Sequence, residues 1–142
     1  MSAYLDTSAL VKLWNEEVGS ALVRSVVAEE EPLGTSVVAY AEARAAFARA
    51  LREQRWAQGE HDAVVSDLDR RWTRLMRVVV TNTLAFEAGR LAERHRLRGF
   101  DAIHLASALR LRERLDEPTL GFVCFDERLV EAARAEGFRI PG

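Results

Sequence analysis

With a single cysteine, Cys124, the chain has no internal disulfide framework to brace it. Its three histidines, His61, His95 and His104, have no spacing with that cysteine that makes a zinc site. No apolar run exceeds the length of a strand, which argues against a membrane span. A strand-like segment begins within a few residues of Met1, leaving no room for the charged and apolar regions of a signal peptide, so a cytoplasmic location is expected. A large excess of one charge is also missing. The net charge of −2 argues against a protein that simply coats nucleic acid. Lysine is nearly absent: Lys12 is the one cationic side chain that is not arginine.

What remains is ordinary globular composition, 49% hydrophobic and 30% charged over 142 residues. A chain of this size buries roughly 70% of the surface it exposes unfolded, so one domain over residues 1–142 is expected. The charge is unevenly spread. Positions 44 to 77 hold eight Arg against five acids and positions 90 to 114 seven against three, whereas positions 1 to 43 sum to −5. The two basic stretches suit either a phosphate-binding rim or solvated helix faces laced with i,i+4 ion pairs.

Strand-like and helical segments alternate. Residues 2–6 read as a buried strand and 7–14 as a helix entered directly from it. Residues 19–30 are helical by the spacing of Leu22, Val23, Val26 and Val27. Leu33–Thr35 is a brief strand, and Ser36 is placed to cap a helix running to about Arg55. A second long helix spans about 60–75, with Val64, Val65, Leu68, Trp72 and Leu75 on one face. Residues 77–80 read as a strand, Asn82 or Thr83 as the cap of a helix to about Arg96, and Gly99 as its breaker. Asp101 opens DAIHLASALRLRERL, residues 120–125 form another strand, and Asp126 opens a last helix with Gly137 as its C-terminal signal. Residues 138–140 read as a final strand. The expected fold is α/β, a three-layer sandwich with a central parallel sheet of about five strands flanked by helices.

Four acids stand in apolar or small-residue surroundings: Asp6, Glu42, Asp101 and Asp126. In parallel sheets ligands bind outside the carboxyl ends of the strands, where Asp6 and Asp126 fall. Each aspartate also suits a helix N-cap, a role that stabilises a helix by about 1 kcal/mol. Glu42 has no such duty. It lies inside its helix on the stripe of Val38, Ala41 and Ala45, without an i+4 cation, since Arg44 points elsewhere. Unpaired buried carboxylates are costly, and a divalent cation removes that cost. An all-oxygen donor set selects Mg²⁺ or Mn²⁺, ions that serve phosphodiester hydrolysis.

Taken in order, the DTSAL turn after the first strand, the Glu of AEARAAF, the DAIHLASAL helix and the FDERLVEAARAEGF terminus resemble the PIN-domain ribonucleases, most closely the VapC-type toxins of prokaryotic toxin–antitoxin pairs. The resemblance covers essentially the whole chain. It implies a metal-dependent endoribonuclease acting on single-stranded or loop RNA, with Asp6, Glu42, Asp101 and Asp126 as catalytic metal-binding acids. It also implies a homodimer neutralised by a small antitoxin protein. Where the family often has Thr or Ser two residues before the fourth acid, this chain has Cys124, a poorer hydrogen-bond donor.

Thr7 and Ser8 are candidates to support the acids with hydroxyls, or to satisfy helix-start amides. His104, on the same helix side as Asp101, reads as a packed core residue, and no base role is assigned to it. Trp14, Trp56 and Trp72 read as core or dimer-interface residues in preference to base-stacking platforms. Val23, Val27, Tyr40, Phe47, Leu51, Val65 and Trp72 present more apolar surface than the domain is expected to cover by itself, so part of it should be shared with another chain. Two other readings stay open: a non-catalytic binding module whose acids are only caps, and a phosphatase of the haloacid dehalogenase type. The latter wants a second Asp two residues after the first, where this chain has Ser8.

Overall fold

The computed structural model describes residues 1–142. Four parallel strands form its sheet: β1 (Ala3–Leu5), β2 (Leu33–Ser36), β3 (Met76–Val78) and β4 (Gly121–Val123). Seven helices connect them: α1 (Thr7–Val11), α2 (Ser20–Glu29), α3 (Val38–Arg52), α4 (Gln58–Trp72), α5 (Asn82–His95), α6 (Gly99–Leu115) and α7 (Glu127–Ala135). The order across the sheet is β3-β2-β1-β4. The chain therefore winds outward from β1 through β2 to β3, then returns to place β4 on the other side of β1. A crevice opens where the winding direction reverses, at the carboxyl ends of β1 and β4.

Strand alternation divides the core into two layers. Tyr4 of β1 is in register with Phe122 of β4, and both belong to the layer built with Leu84, Leu105, Leu111 and Leu129 of α5, α6 and α7. Leu5 is in register with Val123, and these face Leu10, Val23, Phe47 and Leu68 of α1 to α4. Tyr4 stacks on Phe122 with ring centroids 5.2 Å apart. Each such large buried side chain contributes about 1.5–3 kcal/mol of transfer free energy. Gly34 in β2 is needed for close packing, because a Cβ there would collide with the Leu111 side chain of α6.

The structure corrects several expectations. The sheet has four strands where about five were expected, because residues 138–140 join it through a single bridge, Gly121 to Arg139. Phe122 N and Arg139 N both bond across that bridge, but Pro141 has no N–H to continue the ladder. Ser36 ends β2, one residue before the N-cap position of α3, although its hydroxyl still accepts from Val38 N at 3.3 Å. Val37 is the N-cap and already has helical angles, so the strand passes into the helix without an extended capping residue. Thr81, not Asn82 or Thr83, caps α5, its hydroxyl accepting from Leu84 N at 3.1 Å. Gly99 is the first residue of α6 and not a breaker, which moves Asp101 from the helix boundary into the first turn.

The helix hairpin covers part of its apolar surface within the chain. Val23 and Phe47 are fully buried within the chain, and Val27, Tyr40, Leu51, Val65 and Trp72 are half-buried. The large apolar side chains that face solvent are Met1, Val18, Val37, Val79, Phe86 and Phe100, of which Val37 lies at the start of α3. No helix is long and apolar enough to cross a membrane.

Candidate active site

The strand-end crevice gathers the four acids from four different segments. Asp6 follows β1 and Asp126 follows β4, and each caps the helix it opens. Asp6 Oδ1 accepts from Ala9 N at 2.9 Å and from Ser8 Oγ at 2.7 Å. Asp126 Oδ1 accepts from Leu129 N at 3.0 Å. In both, one carboxylate oxygen does the capping and Oδ2 stays free of hydrogen bonds, so capping and a second role are compatible.

Asp101 differs. It sits on the first turn of α6, where a negative charge meets the positive end of the helix dipole, but it caps nothing: Arg98 is the N-cap position. Glu42, in the middle of α3, is half-exposed and not wholly buried as its sequence surroundings suggest. Its Oε1 accepts from Thr7 Oγ1 at 2.5 Å and lies 3.0 Å from His104 Nε2, and its Oε2 has no partner. None of the four acids forms an ion pair with Lys or Arg; the sole basic contact is His104 with Glu42.

The electrostatics follow from this crowding. Burial holds the Asp6 carboxyl above the usual carboxylate range, and the charge of Asp101 adds to it, against the opposing pull of His104, the Ala9 amide and the Ser8 hydroxyl. Asp101 is also held high, first by burial and then by Asp126 and Glu42, with His104 and Arg98 opposing. For Glu42, burial again opposes ionisation, but the hydrogen bonds from His104 and Thr7 outweigh it and its carboxyl lies low. Burial pushes the Cys124 thiol up, and the neighbouring charges of Asp6, Asp126 and Asp101 push it further. Cys124 is thus an uncharged buried group beside the acids, not a nucleophile.

No three His, Cys, Asp or Glu side chains are grouped closely enough to hold a metal ion between them. The donor set nonetheless fits a hard cation of the Mg²⁺ type, which keeps several waters and needs only one or two protein carboxylates. Mutual repulsion among carboxyls with free oxygens and no cationic partner is what such an ion relieves. Asp101 and Asp126 line a polar cleft of about 510 Å³ together with Arg98, Arg128 and Phe125; Asp6, 4% exposed, and Glu42 are not among its lining residues. A cavity of about 340 Å³ between Leu10, Val27, Leu33 and Leu75 contains none of the four acids.

The cleft wall is held from behind. Lys12 Nζ lies 4.5 Å from the Phe125 ring centroid and pairs with Glu17 at 2.7 Å. Gly19, with φ +97°, passes so close that a Cβ would sit 2.5 Å from the ring. Two residues of the site were not assigned from sequence, His104 and Tyr4. His104 is 2% exposed and the Tyr4 phenol lies 2.7 Å from its Nδ1. The signal was the i,i+3 spacing from Asp101, which a packed core histidine also satisfies. The tryptophans are half-buried in the α1, α3 and α4 layer: Trp14 and Trp56 pack on Phe47, and Trp72 packs on Tyr40. Trp14 Nε1 also donates to Asp67 at 2.7 Å.

Comparison with known proteins bears on the family and the fold. The PIN domain family model matches residues 3–135. Two curated relatives from Mycobacterium tuberculosis, Ribonuclease VapC45 and Ribonuclease VapC49, are each 38% identical over 137 residues, covering 96% of this chain and 92% of the relative. Among solved structures, a chain of a toxin–antitoxin complex from Klebsiella pneumoniae is similar with a TM-score of 0.65 at 18% identity, covering 99% of this chain and 98% of that one. That last likeness is one of fold.

Proposed function

The chain belongs to the PIN-domain family, among its VapC-type members, and on that premise we propose that it is a divalent-metal-dependent endoribonuclease, the toxin of a toxin–antitoxin pair. One observation supports the catalytic part: the charge of Asp101 bears on Asp6 and those of Asp126 and Glu42 bear on Asp101, so the four carboxylates share one electrostatic neighbourhood near the sheet's switch point, each with an oxygen free of hydrogen bonds and none paired with Lys or Arg. Asp6 and Asp101 would hold Mg²⁺ or Mn²⁺ most directly, because short carboxylates on rigid element ends have least freedom, with Glu42 and Asp126 acting partly through water. The ion, when bound, supplies an activated water and neutralises charge on the phosphoryl group.

The chain's own residues do the rest. Ser8 and the Ala9 amide fix the Asp6 carboxylate, the Leu129 amide fixes Asp126, and Thr7 fixes Glu42. Arg98 and Arg128, on the walls of the same cleft as Asp101 and Asp126, are placed for the phosphates flanking the scissile bond. The whole of residues 1–142 acts as one PIN domain, working in the cytoplasm. Its partners are single-stranded or loop RNA, a second copy of itself and a small antitoxin protein. Incubating the purified protein with end-labelled single-stranded RNA tests the reading. Cleavage in Mn²⁺ leaving 5′-phosphate and 3′-hydroxyl ends is expected, whereas 2′,3′-cyclic phosphate ends or activity in excess EDTA would falsify it.

A further inference from the structure

Tyr4 and His104 are buried polar groups for which neither the cation nor the RNA has a direct use, yet they connect to the site in an unbroken line. Tyr4 is in β1, two residues before Asp6, on the sheet face that packs against α6. His104 is in α6, three residues after Asp101. Their rings meet edge to face at 5.9 Å, with Tyr4 Oη 2.7 Å from His104 Nδ1. The other ring nitrogen, Nε2, lies 3.0 Å from Glu42 Oε1 and 3.1 Å from Thr7 Oγ1.

Counting hydrogens decides the direction of this line. The Thr7 hydroxyl has one hydrogen, and its 2.5 Å contact with Glu42 Oε1 uses it. An ionised Glu42 only accepts. Nε2 must therefore carry a proton, shared between Glu42 and Thr7, since a bare nitrogen would set its lone pair against a carboxylate oxygen. In a neutral imidazole Nδ1 is then the acceptor, and the Tyr4 phenol, which keeps its proton at ordinary pH, is the donor that matches it. Both donors to Glu42 fall on Oε1, which leaves Oε2 as the one oxygen it can present.

We propose that Tyr4 and His104 are positioning residues: the Tyr4 hydroxyl fixes the Nε2–H tautomer of His104, and His104 with Thr7 ties down Glu42 Oε1 so that Oε2 is presented to the metal-and-RNA site in a single orientation. This rests on the nuclease reading of the carboxylates for its consequence, but not for its geometry. Partners of this kind, one bond removed from a ligand, typically change metal affinity or activity by about 10- to 100-fold.

Two measurements test it. The first needs no activity: the ring ¹⁵N shifts of the metal-free protein, with His104 assigned by loss of its signals in His104→Asn. A protonated Nε2 and an unprotonated Nδ1 are expected in the wild type, with the tautomer preference weakened in Tyr4→Phe. An Nδ1–H ring with bare Nε2, or a ring protonated at both nitrogens, would overturn the proposal, as would an unchanged tautomer in Tyr4→Phe.

The second compares His104→Gln, which keeps an N–H donor near the Nε2 position, with His104→Leu, which keeps bulk and removes the donor; melting temperature monitors folding in both. At saturating Mn²⁺, His104→Leu should lower kcat at least about tenfold with KM within about twofold, and His104→Gln should recover most of that loss. Equal losses in both variants at matched melting temperature would contradict a positioning role. If His104→Leu does not fold, Tyr4→Phe serves in its place, with a smaller fall in kcat expected and no change in kcat contradicting the proposal. A wild-type protein inactive on RNA would refute the nuclease reading while the ring-nitrogen experiment still judged the relay.

Discussion

Thr7 and Glu42 lie 35 positions apart in the chain and share a hydrogen bond of 2.5 Å, the hydroxyl donating from the first turn of α1 to the carboxylate in the middle of α3. That contact accounts for a glutamate on the Val and Ala stripe of a helix with no cation one turn away. It makes Thr7 a support for Glu42, although its position at a helix start suited amide satisfaction equally well. Thr7→Val keeps the shape and removes the donor. Turnover should fall about tenfold or more, with little change in melting temperature, whereas Thr7→Ser should stay within about threefold of wild type. Equal activities for the Val and Ser variants would show that the hydroxyl is idle.

Asp101 should trade stability for activity. Burial and the charges of Asp126 and Glu42 hold its carboxyl high in the folded state, so there it binds protons more readily than in the unfolded chain. For such a group folding is favoured below the unfolded value, about 3.9 for Asp, and that advantage is lost as pH rises through the higher folded value. Asp101→Asn removes the repulsion and sacrifices no hydrogen bond. The metal-free variant should therefore melt higher than metal-free wild type near neutral pH, with the difference shrinking toward zero below about pH 4, while RNA cleavage is lost. Glu42 runs the other way, since its carboxyl is held low and its contribution is lost as pH falls through that value. A metal-free Asp101→Asn protein that melts lower than wild type at neutral pH would contradict this picture of the cluster.

Much of this site was legible in the sequence because acids in apolar surroundings are conspicuous. Asp6 and Asp126 also stood at strand-to-helix junctions, which the sheet's topology turns into neighbours. The capping and functional readings of these two proved compatible, since each cap occupies one oxygen. What the sequence hid was pairing. Period-two alternation cannot show that β4 lies beside β1, nor that Tyr4 faces α6. A histidine three residues after Asp101 in a helix buried along much of its length looks like core, and it is core, but its two nitrogens face three polar partners from distant segments. The last strand failed for a different reason: Phe138 and Ile140 have strand character, but the chain reaches Pro141 after one bridge.

Cys124 offers a chemical probe of the same field. Burial and three neighbouring carboxylates keep its thiol protonated, so native protein should react with a thiol-directed disulfide reagent far more slowly than the unfolded chain at pH 8. Labelling of the native protein at the unfolded rate would place the thiol outside the buried, acidic surroundings described here.

The most direct test of the central claim is a calorimetric titration of the metal-free protein with Mn²⁺, comparing wild type with Asp101→Asn at pH 7. The carboxylate cluster predicts saturable binding by the wild type and binding at least about tenfold weaker in the variant. A wild type that takes up no Mn²⁺, or a variant that binds it with unchanged affinity, would mean that these four acids are helix caps and core neighbours and not a metal site.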